Sequence, residues 1–221
     1  MIENEKYRTL NQRQKIYNFT DEIGVFNTYI DTQPIIKDLY ELRDKDTKSD
    51  GSSNVSGWQK EINHITTNYS WGKELKSEIL QNFFQYIQSC NIFKKPKNEN
   101  KPLNLSLSMV KMFVNINPSG ASHTMHDHVG GHYSGAFWLQ ADVNSGRLII
   151  MNPMRNTFIN SFCQNTIQEN QDGYQTFNNI NIFPESNKGV FFNNNLLHYV
   201  DVNRSEKDRI GVAFHIMIKE G

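Results

Sequence analysis

Hydrophobic residues in the first hundred positions recur mostly at three- and four-residue steps. One such segment begins at Pro34 and runs to about Arg43, and it predicts a helix because proline is tolerated in the first helical turn. A second helical region opens at Gly57-Trp58-Gln59 and contains a stronger apolar stripe. The stripe consists of Leu75, Ile79, Leu80, Phe83, Phe84 and Ile87. We predict that this second helix packs its stripe on the main sheet.

Strict alternation of apolar and polar residues replaces this pattern after residue 102. Apolar residues occupy odd positions from Leu103 to Leu107 and even positions from Val110 to Ile116, which predicts one long strand with a bulge near Met109. Further candidate strands are Ser134–Ala141, Arg147–Met151, Thr166–Ile182 with an Asp172-Gly173 turn, Gly189–Asn193 and Arg209–Ile218. Short strands without helical patterns between them predict a mainly β sandwich or barrel, and they argue against a parallel α/β sheet.

The remaining segments predict edges and loops. Weak alternation at Ile16–Phe19 and Ile23–Phe26 favours edge strands. Residues 44–57 are charged and then small and polar, which is typical of a mobile loop outside the core, and Lys94–Lys101 reads as a solvated linker. A length of 221 residues suits one domain, with residues 1–101 as helical and loop support and residues 102–221 as the β core.

Charge and composition exclude some partners. Lys plus Arg and Asp plus Glu both number 23, so no net charge attracts the protein to nucleic acid or to an anionic membrane. No apolar run approaches the roughly 18 residues of a membrane span, and the first residues lack the layout of a signal peptide. Cys90 and Cys163 offer no disulfide framework. We expect a cytoplasmic protein with free thiols and no membrane partner.

Histidines are concentrated in Ser122–Gly135, which contains four of the chain's seven: His123, His126, His128 and His132. Imidazole is the commonest protein ligand for transition metals. On an extended backbone, His126 and His128 leave the same face while Asp127 points away. A third ligand must come from elsewhere, and the best candidate is His198, which follows the predicted strand Gly189–Asn193.

Arg209 begins a strand on which it shares one face with Gly211 and Ala213. A guanidinium grips a carboxylate in bidentate fashion, and small neighbours leave volume for the ligand. This part of the sequence predicts a pocket for a small carboxylate.

Taken in order, His126-x-His128, Ser134-Gly135 before an aromatic-rich strand, Gly189-Val-Phe-Phe, His198 and Arg209-Ile-x-x-x-Phe resemble the iron(II)/2-oxoglutarate-dependent oxygenases of the double-stranded β-helix fold. Gly57-Trp58-Gln59 and Asn115-Ile-Asn117 also match that family's layout, so the resemblance covers roughly residues 57–218. It implies a mainly β, double-stranded β-helix (jelly-roll, cupin-like) with the N-terminal helices packed on the major sheet.

The resemblance also implies a site. His126, His128 and His198 would form a facial triad for iron(II), Arg209 would hold the distal carboxylate of 2-oxoglutarate, and Asn115 would hydrogen-bond this cosubstrate. Dioxygen would take the remaining position on the metal. The activity implied is that of a dioxygenase that hydroxylates a substrate which the sequence does not identify: a small molecule, a protein or a nucleic acid.

One position departs from the family pattern, because the usual triad has Asp or Glu where this chain has His128. Either His128 is the third ligand of a three-His site or a water replaces it. The other histidines predict lesser roles: His123 and His132 flank the site, while His64 and His215 are structural unless His215 faces inward with Arg209.

Two other functions remain open. One is a cupin-type metalloenzyme that uses three His ligands without 2-oxoglutarate. The other is a non-catalytic jelly-roll module that binds a glycan or a protein. The sequence does not indicate an oligomeric state.

Overall fold

The computed structural model describes residues 23–63, 69–90, 105–153 and 179–220. Within these ranges, the strands form two sheets in which neighbouring strands pair antiparallel. The elements are β1 (Gly24–Asn27), α1 (Gln33–Lys45), β2 (Asn54–Val55), β3 (Trp58–Glu61), α2 (Ser70–Ser89), β4 (Leu105–Asn117), β5 (Ser122–His126), β6 (Tyr133–Gln140), β7 (Leu148–Met151), β8 (Asn179–Ile182), β9 (Lys188–Asn193), β10 (His198–Val200) and β11 (Arg209–Glu220). The major sheet has the order β1-β9-β6-β11-β4-β3, and the minor sheet has the order β2-β5-β10-β7-β8.

Helices α1 and α2 cover one face of the major sheet. The stripe residues Leu75, Ile79, Phe83 and Ile87 are fully buried against sheet residues that include Phe214. Full burial of such a side chain stabilises the fold by about 1.5–3 kcal/mol. The helix predicted from Pro34 and the apolar stripe of the second helix are therefore confirmed, and so is the packing of α2 on the major sheet.

A second apolar cluster joins the two sheets. Trp138 and Phe192 of the major sheet pack with Leu148, Ile150 and Ile182 of the minor sheet. Facing sheets that share such a core are the sandwich that the alternating pattern predicts. The mainly β fold is confirmed.

Strand β4 contains the predicted bulge. Its pairing with β11 shifts between His215, which lies opposite Lys111, and Ile216, which lies opposite Met109. Val110 is the extra residue, and it moves the core-facing positions from odd to even numbers. The switch in the apolar pattern is therefore a property of the backbone.

Two predictions for residues 44–61 are wrong. Gly57-Trp58-Gln59 does not open a helix, because Trp58–Glu61 is an edge strand paired with β4 and α2 begins only at Ser70. The segment 44–57 is not a loose loop, since Asn54–Val55 pairs with β5 and the Trp58 indole N–H donates to the Asp46 carbonyl at 2.8 Å. Pairing with strands distant in sequence decides both cases.

Several predictions lie outside the described residues: the strand at Ile16–Phe19, the linker Lys94–Lys101, the turn at Asp172-Gly173, Cys163 and His64. Of the predicted strand Thr166–Ile182, the described part is β8. No helix in the described ranges is long and apolar enough to cross a membrane.

Candidate metal centre

The three predicted ligands His126, His128 and His198 lie together at one end of the minor sheet. Strand β10 pairs with β5 so that His198 lies opposite His126. The ring centroids are 4.4 Å apart for His126 and His198 and 4.9 Å apart for each of the other two pairs. One ring nitrogen from each residue lies within 4.8 Å of the others, so the group has the size of a metal site.

Backbone carbonyls orient two of these rings. The Nδ1 of His126 lies 2.7 Å from the Thr124 carbonyl, and the Nδ1 of His198 lies 2.8 Å from the Leu196 carbonyl. A carbonyl only accepts, so each Nδ1 carries the proton and each Nε2 keeps its lone pair for an ion.

His128 lies two residues beyond the end of β5 at His126. Its backbone N–H donates to the Asn194 carbonyl at 3.1 Å, and its ring converges with that of His126. Asp127 is exposed and does not join the group.

Burial keeps two of the three ligands neutral. It lowers the pKa of His128 to about 2, with His215 and His198 as further causes. Burial also lowers the pKa of His198 to about 4, against a hydrogen bond to Leu196 that raises it. Neutral imidazole is the form that binds a metal, so both rings are in that form at neutral pH.

Arg209 lies in the same cavity and is 4% exposed. Its Nη1 donates to the carbonyls of Ser145 and Asp201, whereas its buried Nη2 has no hydrogen-bond partner among the described residues. Burial lowers the pKa of Arg209 to about 10, so the guanidinium stays charged at neutral pH. A buried unpaired donor is costly unless a ligand accepts from it.

Gly146 makes the anchoring of Arg209 possible, and sequence reasoning missed it. Its φ is +95°, and an added Cβ would overlap the Asp201 carbonyl oxygen and the Arg209 Nη1. Only glycine combines this backbone conformation with so close an approach. The local signal is the turn between Asp142 and Arg147, but the contact with Asp201 is not visible in the sequence.

Small and polar residues separate Arg209 from the histidines. Gly211 pairs with Asn115 across β11 and β4, and Arg209 pairs with Asn117. Asn117 donates to Asn54 at 2.9 Å, and its Oδ1 lies 3.3 Å from the Nε2 of His123. Asn115, Asn117, His123 and Gly211 line one cavity of about 360 Å³ together with Arg209 and the three candidate ligands. Asn117 is an addition to the predicted site, and Asn54 holds it through their hydrogen bond.

Of the other described histidines, His215 takes the inward-facing position that the sequence left open, whereas His123 lines the cavity and His132 does not. His123 lies inside the cavity, where burial and then the charge of Arg209 lower its pKa to about 3. His215 is 5% exposed and faces inward, with its ring centroid 4.3 Å from that of His128. His215 and Arg209 are separated by an even number of positions on β11, so their side chains share one face of the strand. This spacing was the available signal in the sequence. His132 is structural, because its Nδ1 accepts from the backbone N–H of Ile218 at 3.0 Å.

The segment 46–53 forms part of the cavity wall, contrary to its predicted place outside the core. Residues 50–53 line the cavity, and the Ser53 carbonyl accepts from the Thr124 N–H at 2.9 Å. Lys60 holds the segment through Asp46 at 2.6 Å and Asp50 at 3.3 Å.

The donor set fits both groups that the sequence predicts. Three neutral imidazoles suit iron(II) and related divalent ions. The buried Nη2 of Arg209 suits one end of a dicarboxylate, and the absence of a side chain on Gly211 leaves room between that end and the histidines.

A family model described as "Putative 2OG-Fe(II) oxygenase" matches residues 111–215. No curated protein sequence matches the chain.

Solved structures with the same fold include three that overlap most of the chain. A Pseudomonas putida prolyl-4-hydroxylase is 10% identical at a TM-score of 0.56, over 90% of this chain and 94% of its own. A Trichoplax adhaerens prolyl hydroxylase in complex with a hypoxia inducible factor peptide fragment is 14% identical at 0.55, over 90% and 84%. HygX from Streptomyces hygroscopicus, with nickel and 2-oxoglutarate bound, is 11% identical at 0.53, over 90% and 83%. At these identities the likeness establishes the fold.

Proposed function

We propose that this iron(II)- and 2-oxoglutarate-dependent dioxygenase uses His126, His128 and His198 as metal ligands. The premise is that the chain belongs, through residues 111–215, to the 2OG-Fe(II) oxygenase family. Arg209 and Asn115 bind the cosubstrate in this proposal. One observation carries it: three converging imidazoles and a buried, unpartnered Arg209 Nη2 line the same cavity.

The residues of the chain have separate tasks in this mechanism. Iron(II), 2-oxoglutarate and dioxygen supply oxidative decarboxylation to succinate and the oxidation of a substrate C–H bond. His126, His128 and His198 hold the ion by three ligands, which leaves positions on it open. Arg209 pairs its free Nη2 with the distal carboxylate of 2-oxoglutarate, and Gly211 leaves the path to the ion clear.

Asn115 orients the cosubstrate from the neighbouring strand. It is 9% exposed, it lines the cavity, and it lies opposite Gly211 in the register of β4 and β11. Its Oδ1 lies 3.5 Å from the Asn54 amide, a long contact that leaves the Asn115 side chain available to a ligand.

His128 acts as a metal ligand in place of the usual carboxylate. Its ring lies at the same 4.9 Å from His126 and from His198, and burial keeps it neutral. A water in its place would leave this buried ring without a function in the metal centre.

Release of succinate from 2-oxoglutarate tests the activity. With added iron(II) in air, the wild-type protein should form succinate without any primary substrate, and His126→Ala should abolish this turnover. Absence of succinate from the wild-type protein, together with no binding of 2-oxoglutarate to the nickel(II)-loaded protein, would remove the proposal.

A three-His metalloenzyme that does not use 2-oxoglutarate is the second candidate, and the replacement of a carboxylate by His128 favours it. Arg209→Gln separates the two, because only the dioxygenase loses 2-oxoglutarate affinity in this variant while it keeps its metal affinity.

A further inference from the structure

The inward face of the major sheet carries four cross-strand pairs between β4 and β11. They are Arg209 with Asn117, Gly211 with Asn115, Ala213 with Phe113 and His215 with Lys111. At about 3.4 Å per residue, the first and last pairs are roughly 20 Å apart along the strand. Both pairs line the cavity, and His215 lies on the side of His128.

His215 is the buried polar group in this cavity that the proposed mechanism does not use. It is 5% exposed, and neither ring nitrogen has a hydrogen-bond partner among the described residues. Two unsatisfied nitrogens in a buried ring destabilise a fold unless a ligand contacts them. Arg209 is too far along the strand for 2-oxoglutarate to satisfy this ring as well.

Lys111 supplies a charge beside this ring. It is exposed at the cavity wall, and it forms no ion pair within the described part of the chain. Its ammonium is close enough to be among the causes that lower the pKa values of both His215 and His128. The Phe113 ring, with its centroid 6.1 Å from that of His215, adds an apolar surface next to the pair.

Charge balance indicates the sign of the missing ligand. Histidines aside, the charged residues that line the cavity within the described part of the chain are Arg209, Lys111, Asp50 and Asp127, and Asp50 is paired with Lys60. Two cations and one unpaired carboxylate remain among these described residues. A divalent ion and the doubly negative 2-oxoglutarate cancel each other, so the filled site keeps one positive charge. A carboxylate at position 128 would have neutralised it, but this chain has His128.

We infer that the primary substrate is a small carboxylic acid whose carboxylate binds to Lys111 and His215, at the end of the cavity remote from Arg209. This inference rests on the proposed function, because the charge count includes the metal and the cosubstrate. Lys111 provides the charge, and the neutral His215 ring donates one N–H to the carboxylate. Phe113 packs against the apolar part of the acid.

The test compares an acid with its neutral amide. The full-length protein is loaded with nickel(II), which does not turn over, and saturated with 2-oxoglutarate in chloride-free buffer. Calorimetry then measures the dissociation constants of N-acetylglycine and of N-acetylglycinamide. We expect the acid to bind about tenfold tighter or better than the amide, as a charge-assisted pair requires.

Single variants test which residues produce the preference for the acid over the amide. Lys111→Gln, which alters an exposed side chain, and His215→Phe, which keeps a ring but removes both nitrogens, should each lose most of the preference. Lys219→Gln is the matched control, because Lys219 is an exposed lysine on β11, the strand of His215, but lies outside the cavity, so this variant should keep the preference.

Three results with the acid and the amide overturn the inference: no binding of the acid, equal binding of acid and amide, or an undiminished preference in both cavity variants. A fourth is saturable binding of chloride that displaces the acid and that the two cavity variants weaken to the same extent as they weaken binding of the acid. Affinity for 2-oxoglutarate is measured first on every variant and should change less than about twofold, which corresponds to about 0.4 kcal/mol. Failure at this first step counts against the dioxygenase, whereas failure at the second counts against the carboxylate subsite alone.

Discussion

His128 is the single residue on which the chemistry of the metal centre depends most, since it replaces a negatively charged ligand by a neutral one. We expect His128→Ala to weaken iron(II) or cobalt(II) binding by about tenfold or more, equivalent to about 1.4 kcal/mol, because one of three protein ligands is lost. Metal titration of the apoprotein measures the change.

The matched control is His132→Ala, since the His132 ring accepts from the Ile218 backbone N–H outside the metal centre and its loss should leave the metal affinity unchanged. If His128→Ala bound metal as tightly as the wild-type protein, a water would be the third ligand.

Gly146 is expected to act on the cosubstrate through Arg209. Gly146→Ala forces a side chain into a left-handed conformation against the Asp201 carbonyl, so it should destabilise the fold by about 1–3 kcal/mol and displace the guanidinium. We expect a higher KM for 2-oxoglutarate with unchanged metal affinity.

Gly120→Ala is the comparison. Gly120 also has a positive φ, of +86°, but no atom of the described residues lies within 4 Å of an added Cβ. It should therefore lose stability without any change in KM. Equal KM values for the two variants would contradict a link between Gly146 and Arg209.

Spacing predicted that His126 and His128 share one strand face and that Arg209 shares another with Gly211, because the phase of a strand fixes which side chains share a face. The resemblance to the oxygenases joined these residues to His198 in one site, and the phase of β11 left an inward-facing His215 as an alternative. Gly146 could not be found in this way, since its role depends on a carbonyl group of a distant loop. The sequence therefore predicts which functional side chains share a face of one strand, but it does not predict close packing between loops.

Among the elements, the segment 46–53 is held by contacts that can be tested one at a time. Lys60 pairs with Asp46 and Asp50, and the Asp50 N–H donates to the Gln59 carbonyl at 2.8 Å. Lys60→Gln should increase the rate of hydrogen exchange at Asp50 and leave α2 unaffected. Because the carboxylates of Asp46 and Asp50 remain partly exposed to solvent, the change in global stability should be small.

Lys45→Gln is a suitable control for this measurement. Lys45 is 75% exposed and pairs weakly with Glu41 within α1. Unchanged exchange at Asp50 in Lys60→Gln would mean that backbone hydrogen bonds alone hold the segment.

Local patterns were reliable wherever an element buries its own stripe or alternates along its whole length, as α2 and β4 do. They misassigned Trp58, whose strand conformation depends on the pairing of β3 with β4, in which Trp58 lies opposite Ile116 far along the chain. Propensity carries little information for a short edge strand, because tertiary pairing outweighs it.

Protons should destabilise the whole apoprotein in the mildly acidic range. Burial lowers the pKa values of His123, His128 and His198 to about 3, 2 and 4, whereas the unfolded chain has values near 6.5. The unfolded state therefore binds more protons below pH 6.5, and the stability is full above that pH and decreases as the pH falls. Each histidine contributes a slope of up to about 1.4 kcal/mol per pH unit.

Thermal melting of metal-free protein between pH 7.5 and 5 measures this effect, in a window where most carboxylates stay ionised. Replacement of His123 by Asn should flatten the decrease. A melting temperature that stays constant or rises toward pH 5 would contradict the assignment of neutral buried rings.

The candidate ligands His126 and His198 belong to the minor sheet, whereas Arg209 and Asn115 belong to the major sheet. A ligand that contacts both sets ties the two layers of the sandwich together, and one that contacts a single set does not. Opening motions between the two sheets should therefore depend on whether a ligand occupies the cavity. These slow, collective motions should be suppressed when ligands contact both ends of the cavity, and they should return when either end is released. The rate of opening should therefore change from one stage of turnover to the next.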